Sequence, residues 1–488
     1  MIDSELHDRR LFVGLDLGTS GLKAVAARAD GRLVAFASAA YPTSRPVPGA
    51  AEQDPAHWTA AVHEALTALS ADAPPGRWQA IGLSGMLPTL VTADARGEPA
   101  GPAITWEDSR AETEAGRLRA RLGQDGTRGG GEALYQVTGQ WVDGRYLLPM
   151  FARIAAAEPD RAAATVTLLG AKDYLFGWLT GRAVTDPSTA TGFGCYDLRT
   201  GNWDSDVLGA ALLPRGDDPP DPPVTLAGGD DLAEHGGRPG WRMPCLPPVW
   251  PSAASRPLRR ELAAGFGCAP IPVCLGAADS VLGALGLGAS TAGQVAYVAG
   301  TSTVVLGITD RLVLDPWHRF LVTPLATDGR WGLEMDLLAT GSSLRWLAGL
   351  LGDGLDEAGV LALAAQLDPA DAPVVLPYLS PGEQGALWDP GLTGSVTGLT
   401  LRHDRRHLAR GLVNGIVLES RRCLTVLDET ASFGGELLVA GGSATAASFR
   451  ADLADATGRP VVLPPGEDAA FSALGAALLA AGRDRPAA

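Results

Sequence analysis

The sequence predicts an α/β protein built of two related halves. Strand-like and helix-like segments alternate along the whole chain. A strand, a Gly-Thr-Ser tripeptide and a returning strand occur twice, at Gly18-Thr19-Ser20 and at Gly300-Thr301-Ser302, 282 positions apart. The length, 488 residues, is too great for one ordinary domain and comfortable for two. With 46% hydrophobic and 19% charged residues the chain can bury large cores, which excludes intrinsic disorder and collagen-like architecture.

Each element has a local reason. Residues 11–17 are apolar apart from Asp16 and read as a strand. Strands at 22–28 and 32–38 follow, and the turn Ala29-Asp30-Gly31 between them completes a β-meander. Residues 57–69 have the period of an amphipathic helix, and 79–84 and 88–92 read as strands. Residues 102–105 are strand-like. A helix is expected over 109–121, opened by Ser109-x-x-Glu112 as a capping box. The Pro/Gly/Asp-rich stretch 214–241 reads as a long surface insertion. A strand at 273–275 and a helix at 279–287 lead to the second strand–loop–strand unit, with strands at 294–298 and 304–308. A strand at 437–440 runs into Gly441-Gly442-Ser443 and a helix through about 455.

Composition limits the function. Lys plus Arg is 39 against 55 for Asp plus Glu, a net charge of −16, so nucleic acid is not an expected partner. Lys23 and Lys172 are the only lysines in an Arg-rich chain. The five cysteines, Cys195, Cys245, Cys268, Cys274 and Cys423, form no CxxC pair, which argues against a disulfide framework or a cysteine zinc site. The N-terminus lacks an apolar signal core. Apolar runs such as 469–481 fall short of the roughly 18–20 residues that span a bilayer. A soluble cytoplasmic protein without membrane contact is expected.

Several residues could carry chemistry. Asp16 inside an apolar strand needs a partner: either it ligates a metal ion bound to phosphates, or it accepts from amides of its own turn. Gly18, Thr19 and Ser20 offer a small-residue loop with two hydroxyls for phosphate oxygens. Lys23 could add charge or stand solvated on its strand. Gly300, Thr301 and Ser302 offer the same chemistry from the second half. Asp279 reads first as a helix cap, with a general base as the alternative. Trp106 and Asp108, in Trp106-Glu107-Asp108-Ser109-Arg110, fit either capping and core packing or a sugar site. His403 and His407 are spaced for one solvated helix face and lack the glutamate of a zinc protease motif.

These segments occur together in a recognisable order. FVGLDLGTSGLKAV (12–25), AEQDPAHW (51–58), IGLSG (81–85), PAITWEDSRA (102–111), KDYLFGWLTGRAVTDPSTATG (172–192), CLGAADSVLGALGLG (274–288), YVAGTSTVV (297–305), LPYLSPGE (376–383) and VAGGSATAASFRADLADATGRPV (439–461) resemble the FGGY carbohydrate kinases, the xylulokinase branch most closely. The resemblance covers about 11–482. It implies two actin-like, ribonuclease H-like ATPase domains around a central cleft. Residues 1–289 would form the N-terminal domain, with the sugar site, the first phosphate loop and the catalytic aspartate. Residues 290–488 would form the C-terminal domain, with the second phosphate loop and the adenosine site.

ATP and Mg2+ would be the cofactors and a small sugar or polyol, such as a pentulose, the substrate; a homodimer is left open. Asp279 would be the catalytic base and Asp16 the metal ligand. Gly18, Thr19, Ser20, Lys23, Gly300, Thr301 and Ser302 would hold phosphates, and Gly341, Arg345, Gly441 and Gly442 would flank the nucleotide. Leu87, Pro88, Thr89, Trp106, Asp108 and Ser280 would face the substrate. The chain departs from the branch at three places. Met86-Leu87-Pro88-Thr89 stands where Gln-Met-His-Gly is usual, Ser280 where Asn is common, and Ala440 at the third glycine of the adenosine loop. The Glu52-Gln53-Asp54-Pro55 and Trp106–Arg110 segments speak against an ATPase of the same fold without a sugar. Retention of Asp16 and Asp279 speaks against a sugar-sensing relative without catalysis.

Overall fold

The computed structural model describes residues 10–123, 129–212, 243–380, 385, 387, 389, 391–431, 433–464 and 470–482. The expected surface insertion at 214–241 lies outside the described residues. The chain divides into two compact units. The first takes the described residues up to Leu282, a short return at Thr323–Asp328 and the chain from Ser472; the second takes Gly283–Val322 and Gly329–Phe471.

The first unit is built on a mixed sheet. Leu11–Leu17 pairs antiparallel with Gly21–Ala27, which pairs antiparallel with Leu33–Ala40. On its other side Leu11–Leu17 runs parallel to Trp78–Gly85, and that strand runs parallel to Pro272–Ala278. The expected meander is present, and Gly31 takes the left-handed φ of 91° that its turn requires. Leu11–Leu17 is buried along nearly its whole length, as a central strand covered on both faces should be.

Helix Pro55–Leu69 shows how sequence sets one of these covers. Asp54 accepts from Ala56 N at 2.9 Å, Pro55 occupies the first turn, and Trp58, Ala61, Val62, Ala65, Leu66 and Leu69 fall on the buried face. Such a cap contributes about 1 kcal/mol. A second small sheet, in the order Glu52–Gln53, Ala103–Ile104, Leu90–Ala93, Thr167–Gly170, carries the segments that flank the candidate sugar residues.

The sheet of the first unit is closed from far away in sequence. Gly14 and Gly82 stand opposite each other on neighbouring strands. A β-carbon on Gly14 would lie 1.8 Å from Ala473 O, and one on Gly82 1.9 Å from Ala476 O. Helix Phe471–Ala480 lays its backbone directly on these two glycines.

The second unit repeats the same plan. Val295–Ala299 pairs antiparallel with Thr303–Thr309, and that strand with Trp331–Leu337. On the other side Val295–Ala299 runs parallel to Leu437–Ala440, which runs parallel to Val461–Val462. Both Gly-Thr-Ser tripeptides therefore turn one antiparallel hairpin at the same place in the same strand order.

Three local expectations are corrected. The helix expected over 109–121 begins only at Glu112, with Ala111 at its cap and no side-chain cap bond. Glu112 instead accepts from Arg119 and from Gly144 N, while Ser109 N donates to Gly49 O. The helix after Gly441 is broken at Ala446, whose extended backbone divides Gly442–Thr445 from Ala447–Thr457. His403 precedes helix Arg405–Thr430 and accepts from Thr400 N, and His407 pairs with the N-cap Asp404, so they do not share a helix face.

Candidate active site

Parallel strands place the two candidate carboxylates at one edge of the first sheet. Asp16 stands opposite Ser84, and Ser84 stands opposite Ala277, two residues before Asp279. With strands about 4.8 Å apart, Asp16 and the end of strand Pro272–Ala278 are separated by roughly 10 Å. This is the carboxyl edge of the parallel strands, where α/β sheets receive ligands.

Asp16 is 6% exposed. Ser84 Oγ donates to its Oδ1 at 2.8 Å, and Lys23 faces it across the hairpin. Its partner is thus a serine on the next strand, not the amides of its own turn. Burial pushes the Asp16 carboxyl above its ordinary value, and Lys23 and the Ser84 hydroxyl only partly oppose that. A buried carboxylate two residues before the Gly-Thr-Ser turn suits a hard cation that keeps its waters and binds phosphate oxygens.

The first Gly-Thr-Ser loop is braced on several sides. Gly18 N donates to Gly21 O at 3.1 Å, and the Tyr41 hydroxyl donates to Gly18 O. Trp106 Nε1 donates to Thr19 Oγ1 at 2.9 Å, so the candidate sugar segment touches the candidate phosphate loop. Thr19 O accepts from Gln53 Nε2 at 2.7 Å, and Gln53 Oε1 accepts from the buried Trp58 indole at 2.9 Å. In the sequence Gln53 stands out only as part of the Glu52-Gln53-Asp54-Pro55 segment, with no role of its own.

The substrate-side residues differ in exposure. Leu87 and Pro88, joined by a cis peptide, are partly exposed, while Thr89 is fully buried. The Thr89 hydroxyl is buried with no hydrogen-bond partner among the described residues. Asp108 is committed to protein groups: it accepts from Ala51 N at 3.0 Å and pairs with Arg110, which also bonds Glu52 at 2.6 Å. Trp106 is partly exposed beside it.

Asp279 opens helix Asp279–Gly286 and is partly exposed, with Ser280 N donating to its Oδ1 at 2.9 Å. Its carbonyl accepts from Ser472 Oγ at 3.0 Å, another contribution of the returning helix. Behind it lies a cluster that composition hinted at only through a rare lysine. Lys172 is 1% exposed and bonds Asp173 at 3.0 Å and Asp186 at 3.1 Å. Burial pulls the Lys172 ammonium down, but the two carboxylates outweigh it and the net shift is upward.

The second unit gathers its own glycines. A β-carbon on Gly341 would lie 2.3 Å from Gly300 O, and one on Gly441, at φ 94°, would lie 2.2 Å from Ala299 O. Ser342 N donates to Thr301 O at 3.0 Å, and Gly300 N donates to Ser302 O at 2.8 Å. Gly300–Ser302, Gly341 and Gly441-Gly442 thus form one small-residue surface, in which the close approaches at Gly341 and Gly441 are open to glycine alone. Arg345, one turn on, points to solvent and pairs with Glu357 at 2.6 Å.

The comparisons with known proteins agree with this plan. Residues 11–220 match the N-terminal domain of the FGGY family of carbohydrate kinases, and 295–482 match its C-terminal domain. The chain belongs to the FGGY carbohydrate kinases. It is 29% identical to the xylulose kinase of Escherichia coli (strain K12) over 96% of this chain and 89% of that one. It is 28% identical to the gluconokinase of Bacillus subtilis (strain 168), over 96% and 86%. The crystal structure of xylulose kinase from Rhodospirillum rubrum superposes with a TM-score of 0.80 at 31% identity, covering 97% of this chain and 89% of that one. The two sheet-bearing units therefore have the actin-like ATPase fold, and this FGGY kinase catalyses ATP-dependent sugar phosphorylation. No helix among the described residues is long and apolar enough to cross a membrane.

Proposed function

We propose that this kinase phosphorylates a hydroxyl of a small ketose or polyol, a pentulose such as D-xylulose among them, with Asp279 as general base. The observation that supports this most is the placement of Asp16 and Asp279 at one sheet edge, in register through Ser84. Asp279 takes the proton of the attacking hydroxyl, and Ser280 N holds one of its oxygens in place. Thr19 accepts from Trp106, so its own hydroxyl hydrogen is left to donate to a phosphoryl oxygen. Gly18, Ser20 and Lys23 complete the first phosphate loop. Gly300, Thr301 and Ser302 form the second, and Gly341, Gly441 and Gly442 let the nucleotide lie against backbone. Asp16 would hold Mg2+, which when bound neutralises charge on the phosphoryl oxygens.

The substrate wall sets the selectivity. Pro88 has neither a backbone N–H nor a side-chain donor, and the Thr89 hydroxyl is buried. A site that bonds a hydroxyl rejects analogues lacking it far more strongly than an apolar wall does. Leu87 and Pro88 therefore make the permissive kind of wall, and several related substrates are accepted. The test is a coupled ADP assay over ketoses, polyols and aldonates. ADP release that needs a sugar supports the kinase reading; release without sugar, or none with any, overturns it. If D-xylulose exceeds every other candidate by more than roughly 10³-fold in kcat/KM, the reading of Pro88 is wrong.

A further inference from the structure

We propose that Asp186 and Ser188, held in place by Lys172, are positioning residues for Asp279; this rests on reading Asp279 as the base. An ammonium and two carboxylates in a dry interior are a poor way to gain stability, because desolvation costs several kcal/mol per ion. Here they hold one geometry. Asp186 caps the short helix Pro187–Thr191 and is itself fully buried. Its Oδ1 accepts from Lys172 Nζ at 3.1 Å and from Thr189 Oγ1 at 2.6 Å. Its Oδ2 accepts from Ser188 N at 3.0 Å, Ser188 Oγ at 2.5 Å and Ser252 Oγ at 3.2 Å.

Those two serines grip the chain just before the base. Ser188 spends its only hydroxyl hydrogen on Asp186, so its oxygen is turned to accept Ala278 N at 2.9 Å. Ser252 O accepts Gly276 N at 2.9 Å. One oxygen of Asp186 therefore fixes Ala278 N through the Ser188 hydroxyl and holds the hydroxyl of Ser252, whose carbonyl accepts at the other end of Gly276-Ala277-Ala278, the tripeptide that leads to Asp279. That tripeptide needs fixing. The pairing of its strand with Trp78–Gly85 shifts register between Cys274 and Ala277, and Gly276 takes a φ of 78° with Leu83 O where a β-carbon would be.

The same short helix reaches the substrate wall. Gly192 follows it directly, and a β-carbon there would lie 2.4 Å from Leu87 Cδ1. The segment from Asp186 to Gly192 thus ties the base to the wall that faces the substrate.

Ser188→Ala tests this, read as kcat per folded protein. A misplacement near 1 Å costs about 100-fold, so kcat should fall by roughly 10- to 100-fold while the KM for ATP stays within about twofold. Adding Ser188→Ala to Asp279→Asn should cost less than about threefold more, because a displaced carboxylate no longer matters once it is gone. Ser252→Ala, which removes the hydroxyl that Asp186 holds but keeps the carbonyl that accepts Gly276 N, should give a smaller loss in kcat of at least about threefold with the same KM pattern and serves if Ser188→Ala does not fold. A kcat within twofold of the parent in either folded serine variant overturns the positioning role, as does a double variant in which the two losses multiply. If Asp279→Asn is crippled while Ser188→Ala is untouched, the positioning role alone falls. If Asp279→Asn keeps nearly full kcat, the base assignment falls and the positioning role with it.

Discussion

Burial holds the Asp16 carboxyl above its ordinary value of 3.8, against the pull of Lys23 and of the Ser84 hydroxyl. The sign of its effect on folding follows. Between 3.8 and the higher folded value, the unfolded chain has lost the proton and the folded chain keeps it, so ligand-free stability falls as pH rises through that window and stays lower above it. Asp16→Asn removes the titration. Its ligand-free melting temperature at neutral pH should equal or exceed the parent's, while magnesium-dependent turnover is lost. Unchanged turnover at low magnesium would remove Asp16 from the metal site. Thr89 is a second residue whose polar group is poorly served, with its hydroxyl buried and unpartnered among the described residues. Thr89→Val should stabilise by about 1 kcal/mol in denaturant titration, because an unsatisfied buried group is removed. A loss of that size instead would mean the hydroxyl has a partner in solution. Asp16 was legible in the sequence as a charge in an apolar run. Thr89 was not, because its neighbours say nothing about which way a hydroxyl is packed.

Hairpins and glycine loops were the most legible elements. The two Gly-Thr-Ser turns, the 29–31 turn and the strand before Gly441 all stand where local composition put them, because backbone reversals depend on the residues that make them. Capping was less legible. Ser109-x-x-Glu112 has the pattern of a capping box, yet its neighbour Asp108 is tied to Arg110 and Ala51 N, and Glu112 is taken by Arg119 and Gly144. Long-range partners outbid a bond worth about 1 kcal/mol. Contacts between glycine loops are invisible in sequence for the same reason: nothing near Gly341 announces that Gly300 will press against it. Gly341→Ala tests that contact. A methyl group 2.3 Å from Gly300 O must push the loops apart. Stability should drop by about 1–3 kcal/mol, and the KM for ATP should rise while the KM for sugar holds. An unchanged KM for ATP would separate Gly341 from the nucleotide site.

The chain makes one protein of two repeats of a plan, but not by stringing them end to end. The first unit is completed by the segment from Ser472 onward, whose helix rests on Gly14 and Gly82 and whose Ser472 bonds the carbonyl of Asp279. Composition could not show this, since the run 469–481 reads only as an apolar stretch too short to span a bilayer. Gly14→Ala and Gly82→Ala should each destabilise by about 1–3 kcal/mol or more, because each methyl group meets helix backbone rather than a side chain that can move. The double variant should lose clearly less than the sum, since a helix lifted from one glycine is already lifted from the other. Strict additivity in thermal or denaturant melts would show that the two glycines do not share that helix. The returning helix also sets a schedule for the newborn polypeptide. Strand Pro272–Ala278 is synthesised 194 residues before Ser472, an interval of about 10–40 s at ordinary elongation rates. Throughout that interval the glycine faces of the first sheet lack the helix that covers them in the finished fold, and the carbonyl of Asp279 lacks its bond to Ser472.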